Sequence, residues 1–299
     1  MVPTDHRRMC GQKPVSKPIV IRLRSSELLT RRGIVNPKSR VAFYQKQDDA
    51  RYGAGHDTEG EDQRVQELVQ QLGIPVVLEI GCGLHNLRNL HPGWIGLDIS
   101  LYALHRLGKG HRICADWGVG LPLRSGSVPF VVSIFTLEHV PDPERAIEEL
   151  DRVLAPGGLA YLKPAFNVPP WRADGLEYLD PATLDRRRRW AQRSLVVRRQ
   201  PIWRFATRLL WTRLADELRL AWARRLGNAL NLRWQALTPY SGEFIGPDSD
   251  AVCMVDKAAL AVWFRSRGYA VVEGCGATTA LERLLTRHSA LIVRKPEAV

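Results

Sequence analysis

The chain has 299 residues, 45% of them hydrophobic and 25% charged, which is the balance of a globular protein large enough for one domain with an insertion. No apolar run approaches the roughly 20 residues of a membrane span, and the opening residues lack the apolar stretch of a secretory signal. The five cysteines are scattered without a Cys-x-x-Cys pair, so we expect reduced thiols in the cytoplasm and no zinc or other metal site.

The net charge of +12 is concentrated in one segment. Between Val76 and Lys163, eight basic residues face nine acidic ones, a net of −1. Between Trp171 and Trp234, fifteen arginines outnumber six acidic residues, a net of +9, and six of the nine tryptophans lie there as well. Such a segment favours an anionic partner.

Residues 1–60 are polar and rich in proline, and we expect an N-terminal arm whose first dozen residues are disordered. Two interpretations fit the ring-bearing and charged residues near its end: a cap over a ligand pocket, or packing on the edge of a sheet. These residues are Phe43, Tyr44, Arg51, Tyr52 and His56. A helical apolar pattern follows from Glu61 to Leu72 and ends at Gly73.

The stretch from Val76 to Leu84 predicts a buried strand followed by a tight turn into a helix. Glycine suits such a turn because a Cβ would block the approach of a ligand to the backbone. A pyrophosphate at this turn would be repelled by Glu79, two residues before Gly81, so a cofactor with a cationic group is favoured over a dinucleotide. A second strand ends at Asp98, whose carboxylate is placed either to accept hydrogen bonds from ribose hydroxyls or to cap a helix.

The next segments continue the alternation of strand and helix. We predict a helix over Leu101–Leu107, a short strand before Asp116, a strand over Phe130–Phe135 and an amphipathic helix that ends at Gly157–Gly158. The run LAYLKPAF is a fifth strand. Alternating strands and helices indicate a parallel sheet with helical crossovers.

The ordered series VLEIGCG, GLDIS, CADWGVGLPL, FTLEHVPDP and RVLAPGGLAYLK resembles the class I S-adenosylmethionine-dependent methyltransferases, in particular the type 11 methyltransferase domain group. The resemblance covers Val76 to Lys163 and implies a Rossmann-like, seven-stranded, mostly parallel sheet. It places the two glycines against the methionine part of S-adenosylmethionine, Glu79 near the ammonium, and Asp98 on the ribose. The residues that it implies for cofactor binding are Glu79, Gly81, Cys82, Gly83, Asp98, Ile99, Asp116, Trp117 and Phe135.

Within this implied set, Asp116 and Trp117 face the adenine, and the loop from Phe135 to His139 borders the methyl group. The sequence departs from the family pattern at His85, which stands where the family usually has a third glycine. His139 is the candidate base for the acceptor, although it could instead cap the following helix.

The resemblance divides the chain into residues 1–60 as arm and cap, 61–166 as cofactor-binding core, 167–245 as a helical insertion between strands five and six, and 246–299 as the end of the core. In that last part we predict a helix over Lys257–Arg267 and strands over Tyr269–Glu273 and Ser289–Arg294. The insertion is predicted to act as a lid. A helical apolar stripe runs through it at Trp203, Leu210, Leu214, Leu218 and Ala221.

The expected reaction is transfer of a methyl group to a small-molecule acceptor, by attack of its O, N or C atom. Three interpretations fit the insertion: a plain solvated lid, a surface for anionic membranes or a lipid-linked acceptor, and an RNA site. We favour an amphipathic or lipid-linked acceptor with peripheral membrane association through residues 171–234, and nucleic acid less, because the core beside the site is nearly neutral. The alternatives are an RNA methyltransferase and a cofactor-binding protein without catalysis.

Overall fold

A computed structural model describes residues 44–45, 59–85, 87, 91–107, 110–198, 210–240, 245–273 and 289–298. Several residues singled out above lie outside these ranges: Phe43, Arg51, Tyr52, His56 and Trp203. Within the described residues, no helix is both long and apolar enough to cross a bilayer.

The centre of the fold is a seven-stranded sheet of order β3-β2-β1-β4-β5-β9-β8. Strands β1 to β5 run parallel, and β9 is antiparallel to both of its neighbours, β5 and β8. Their bounds are β1 Val77–Ile80, β2 Trp94–Asp98, β3 His111–Cys114, β4 Val128–Ile134, β5 Leu154–Lys163, β8 Ala270–Glu273 and β9 Leu291–Arg294. This arrangement confirms the predicted fold.

Helices cover the sheet where the apolar periodicity predicts them, and short polar side chains cap several of them. The helices before the insertion are α1 Glu59–Leu72, α2 Leu101–Arg106 and α3 Pro143–Val153. Ser100 caps α2 and Asp142 caps α3 by accepting bonds from backbone N–H groups one turn ahead. Asp98 and His139, each also considered as a helix cap, therefore cap neither helix.

Two apolar layers hold the sheet from its opposite faces. One is centred on the inner side of α3 and on the later helix α8 Lys257–Arg265, with Ile147, Leu150 and Trp263 all fully buried. The other packs α1 and α2 on the sheet through Val65, Leu104 and Trp94. Because both faces are covered, the strand ends and their loops are left to form a site.

The segment between β5 and β8 contains more than helices. Its helices include α4 Pro170–Ala173, α5 Arg186–Arg193, α6 Leu195–Arg198 and α7 Leu210–Leu226, and a 3-10 turn lies at Pro181–Thr183. Another 3-10 turn, Leu137–His139, precedes the segment and follows β4. A second, two-stranded antiparallel sheet joins β6 Trp234–Ala236 to β7 Cys253–Val255. The sequence did not predict this sheet, since three-residue strands carry almost no periodic signal.

The predicted end of the amphipathic helix was wrong, and so were the bounds of the fifth strand, predicted as LAYLKPAF and observed as Leu154–Lys163. The amphipathic helix α3 ends at Val153, and Gly157 and Gly158 lie inside β5. Gly158 is required there because a Cβ would stand 2.8 Å from the carbonyl oxygen of Ala155 and 3.0 Å from that of Pro129. The glycine pair thus serves close strand packing, where a helix stop had been predicted.

Candidate active site

The glycine turn after β1 is shaped by close contact with the loop after β4. Gly81 and Gly83 have φ values of 74° and 49°, in the region that favours glycine. A Cβ on Gly81 would lie 2.1 Å from Oγ1 of Thr136. The N–H groups of Gly81 and Cys82 donate to the carbonyl oxygen of Leu97 at 2.7 and 3.1 Å, which ties the turn to the end of β2.

Asp98 ends β2 directly beside this turn. Its carboxylate accepts hydrogen bonds from the N–H groups of Gly83 at 2.8 Å and Ser100 at 2.7 Å, and the residue is only 6% exposed. Burial raises the pKa of Asp98 to about 6, and these two N–H groups partly oppose the rise. The site therefore holds a carboxylate that would gain from further hydrogen-bond donors.

Glu79 sits beneath the turn and is enclosed by other side chains. Its carboxylate accepts from the indole N–H of Trp94 at 2.8 Å and contacts Nδ1 of His85 through a short hydrogen bond. Nε2 of His85 lies 2.6 Å from Asp62 Oδ1. Burial alone would lower the pKa of His85, but the bond and charge of Glu79, with Asp62, raise it to about 9. The half-buried imidazole of His85 thus links the first turn of α1 to β1.

The remaining cofactor residues predicted from the resemblance occupy different environments. Asp116 is half-buried just after β3 and accepts a bond from the N–H of Gly118 at 2.9 Å. Trp117 is buried and donates its indole N–H to the carbonyl oxygen of Ala146, so its ring packs in the core. Cys82 is also buried in the core, and burial raises the pKa of its thiol. Ile99 lies at the end of β2, where its carbonyl oxygen accepts from Gln45 Nε2 at 3.0 Å.

The loop after β4 is strained at its first residue. Phe135 has φ 49°, a conformation that bulky side chains rarely adopt, and its N–H donates to the carbonyl oxygen of Lys163. Asn167 and Asp248 also have positive φ, near the end of β5 and before β7. Backbone strain of this kind concentrates at functional sites.

Glu138 and His139 follow in the same loop. Glu138 is 2% exposed; its Oε1 accepts from the N–H of Ala165, and its Oε2 has no hydrogen-bond partner among the described residues. Burial raises the pKa of Glu138 to about 7, although nearby His139 opposes the rise. Burial would lower the pKa of His139, but Asp250 and Glu138 raise it.

Two residues distant in sequence complete this side of the site. Oδ2 of Asp250 lies 3.3 Å from Nδ1 of His139 and accepts from the hydroxyl of Tyr44 at 3.1 Å. The carbonyl oxygen of Tyr44 in turn accepts from the hydroxyl of Ser100 at the end of β2. Tyr44 thus contacts both Asp250 and Ser100, which follows the end of β2. Sequence reasoning missed Asp250 because it stands outside the quoted motifs. It gave no role to Glu138, which lies within FTLEHVPDP, because the motif does not show that this side chain is buried.

Comparison with known proteins bears on this arrangement. Residues 78–162 match the methyltransferase domain family. An uncharacterized methyltransferase from Mycobacteroides abscessus is 39% identical over 77 residues, 23% of this chain and 30% of that protein. Another, from Mycobacterium sp. strain JLS, is 47% identical over 53 residues, 18% of this chain and 21% of that protein. This chain thus spans about a third or less of the length of these relatives.

Solved structures with a similar outline carry related descriptions. A SAM-dependent methyltransferase from Leishmania major has a TM-score of 0.44 and 10% identity, covering 86% of this chain and 81% of that one. An S-adenosylmethionine-dependent methyltransferase from Mesorhizobium loti has a TM-score of 0.36 and 17% identity, covering 74% of this chain and 90% of that one.

The matched residues run from within β1 nearly to the end of β5, the part of the sheet that carries the glycine turn and Asp98. The chain therefore carries a class I S-adenosylmethionine-dependent methyltransferase domain, and S-adenosylmethionine is the cofactor of that class. No group of three metal-ligating side chains occurs among the described residues.

The donor set fits this cofactor in part. The buried carboxylate of Asp98 suits ribose hydroxyls, and the open backbone of the glycine turn suits close approach. Glu79 fits less well as a direct partner of an ammonium group, since Trp94 and His85 already bind its two oxygens.

Proposed function

We propose that this protein transfers the methyl group of S-adenosylmethionine to a small-molecule acceptor at the carboxyl edge of the sheet. The observation that carries the proposal is the buried carboxylate of Asp98 beside the glycine turn, within the matched domain. When bound, S-adenosylmethionine supplies an electrophilic methyl group on a sulfonium. The chain's own part is to bind and orient both molecules and to exclude water from them.

In this proposal Asp98 holds the ribose, and the backbone from Gly81 to Gly83 lies against the methionine part. Asp116 borders the adenine. Trp117 and Cys82 support the site from the core, since both side chains are buried. Glu79 holds His85 and Trp94 in place beneath the turn and acts on the cofactor through this network.

The acceptor would bind between the loop after β4 and the segment that precedes β7. The imidazole of His139 stands between two carboxylates, with Nδ1 3.3 Å from Oδ2 of Asp250 and Nε2 3.9 Å from Oε1 of Glu138. Burial lowers the pKa of His139, but the charges of Asp250 and Glu138 outweigh that effect and raise it, which makes deprotonation of the imidazolium harder. Glu138, with a pKa of about 7, is then the group able to take up a proton from the acceptor near neutral pH.

We further propose that the acceptor is amphipathic or lipid-linked, with residues 167–245 acting as its lid. Support comes from the charge and tryptophan content of that segment beside a core of nearly neutral charge. RNA as acceptor is less well supported, because basic residues are not gathered on the core beside the site.

Ultraviolet cross-linking with tritium-labelled S-adenosylmethionine tests the site. The label should be retained on peptides that carry the glycine turn or the loop from Phe135 to His139, and excess unlabelled S-adenosylhomocysteine should abolish it. A label confined to the segment from Trp171 to Trp234, or one that resists competition, would contradict the proposed site.

A further inference from the structure

Helix α7 presents an apolar stripe to solvent on the side that faces away from the core. Successive residues are about 100° apart around a helix, so positions 211, 214, 218, 222 and 226 fall on one face. Their side chains are all exposed: Trp211 68%, Leu214 53%, Leu218 57%, Trp222 66% and Leu226 59%. A face of this size is unusual on a helix in water.

The opposite side of α7 explains why this stripe cannot simply turn inward. Leu220 and Ala223 are buried, and so is Asp216, which accepts a bidentate contact from Arg233 at 3.1 and 2.5 Å. Glu217 pairs with Arg265 of α8 at 2.9 Å. The helix is therefore fixed on the domain by its polar and small residues, with its two tryptophans outward.

The charged residues around the stripe favour one of three possible partners: a second copy of the chain, an RNA or an anionic lipid surface. Both acidic residues of α7 are engaged with arginines, whereas Arg224 and Arg225 at its end are exposed. A second copy of this chain would bring the same arginines to the contact and be repelled. An RNA could stack on the two tryptophans, but the three leucines between and beside them neither stack on bases nor bind phosphates. An anionic lipid surface offers both the headgroups for the arginines and the interface that tryptophan prefers.

We propose that the outward face of α7, defined by Trp211, Leu214, Leu218, Trp222 and Leu226 and flanked at the end of the helix by the exposed Arg224 and Arg225, docks the protein on anionic membranes. The helix would lie in the plane of the interface, with the apolar stripe entering the headgroup region. This inference rests on the proposed function, because a lipid-linked acceptor would be reached from the membrane surface. Binding to the membrane does not itself require methyl transfer, so the two proposals can fail separately.

Co-sedimentation of the full chain with vesicles tests this surface. One set of vesicles is phosphatidylcholine alone, and the other contains about one-third phosphatidylglycerol. We expect the protein to pellet with the second set at low salt and to be released as salt screens the charges. Recovery in the supernatant from both sets at low salt would overturn the proposal, whatever the protein does with S-adenosylhomocysteine.

Matched variants locate the contact. The double substitution Trp211→Ser with Trp222→Ser should weaken partitioning about tenfold or more. Val272→Ser, which changes an exposed apolar residue on β8, should leave partitioning unchanged. Replacing Arg224 and Arg225 with glutamine should weaken partitioning about tenfold, and Arg124→Gln, an exposed core arginine, should not.

Light scattering on the same proteins separates membrane docking from self-association. We expect a concentration-independent mass for the wild type and for the tryptophan variant. A wild-type dimer that the tryptophan substitutions dissociate would assign the stripe to a second copy and overturn the membrane proposal. Equal vesicle binding by the wild type and both α7 variants would overturn it as well.

Discussion

His85 is a single residue at which the sequence departs from the family pattern and the structure supplies a reason. In place of a small residue, the turn carries an imidazole bonded on one side to Glu79 and on the other to Asp62. The contact joins α1 to the end of β1 across the base of the site. An imidazolium enclosed by two carboxylates is a stabilising element for the domain as well as a support for the turn.

This contact predicts a pH-dependent stability. The pKa of His85 rises to about 9 in the folded protein from about 6.5 when unfolded, so its contribution is complete below pH 6.5 and is lost as the pH rises through 9. His85→Gln should lower the free energy of unfolding by about 2–3 kcal/mol at neutral pH and by much less near pH 10. Urea unfolding across this range measures the difference.

The exposed His105 on α2 provides the control for that experiment. His105→Gln should track the wild type at every pH. A constant difference between His85→Gln and wild type from neutral pH to pH 10 would mean that packing, and not charge, explains the effect.

Helix α7 shows how one element can be held by polar contacts while displaying an apolar face. Its anchor is Asp216, 2% exposed and paired with Arg233, which lies just before β6. Arg233→Gln should lower the stability of the chain by about 1–2 kcal/mol, less than a fully buried pair would, because Arg233 is partly solvated. Urea unfolding measures this change, with Arg225→Gln as an exposed control on the same helix.

Hydrogen exchange measures whether the Asp216–Arg233 pair stabilises α7 alone or the whole domain. The amides of α7 should exchange faster in Arg233→Gln, while those of β1 and β4 keep the wild-type rate. Faster exchange throughout the sheet would show that the pair stabilises the whole domain and that α7 is not a separately anchored element.

Long periodic elements were predictable from the sequence, and short or long-range ones were not. The strand Val128–Ile134 was predictable because it is an almost unbroken apolar run, and helix α3 because its buried residues recur at helical spacing. The pair β6 and β7 has three residues in each strand and joins positions about twenty residues apart, so no local pattern marks it. Of the predicted stripe in the insertion, Leu214 and Leu218 lie on α7 with exposed side chains, while Trp203 lies outside the described residues.

The residues of the candidate site also divide into those that the sequence could predict and those that it could not. Gly81 and Asp98 stand at motif positions whose spacing fixes their place at the sheet edge, so the sequence could find them. The contact of His139 with Asp250 spans 111 positions and depends on how the chain returns after the insertion. Trp117 stands at a motif position, but that position does not reveal the direction of its side chain. The ring turns into the core, where its N–H donates to the carbonyl oxygen of Ala146.

At the scale of the whole molecule, the sheet order brings the ends of β1, β2 and β4 together and leaves the acceptor side to distant segments. Asp98 and the glycine turn come from the first half of the domain, whereas Tyr44 and Asp250 close over it from the arm and from the residues before β7. In the proposed function, the cofactor side is therefore local in sequence, whereas the acceptor side is formed by segments that are distant in sequence.

Isothermal titration with S-adenosylhomocysteine tests the central claim most directly, because it needs no knowledge of the acceptor. We expect one site per chain in the wild type, and affinity about tenfold to a hundredfold weaker in Asp98→Ala, which removes a buried acceptor of hydrogen bonds. His139→Ala, on the acceptor side, should bind nearly as well as the wild type. Because the ligand favours ionised Asp98, whose pKa is about 6, affinity should also fall below pH 6. A folded wild-type protein that shows no binding at neutral pH would contradict the account.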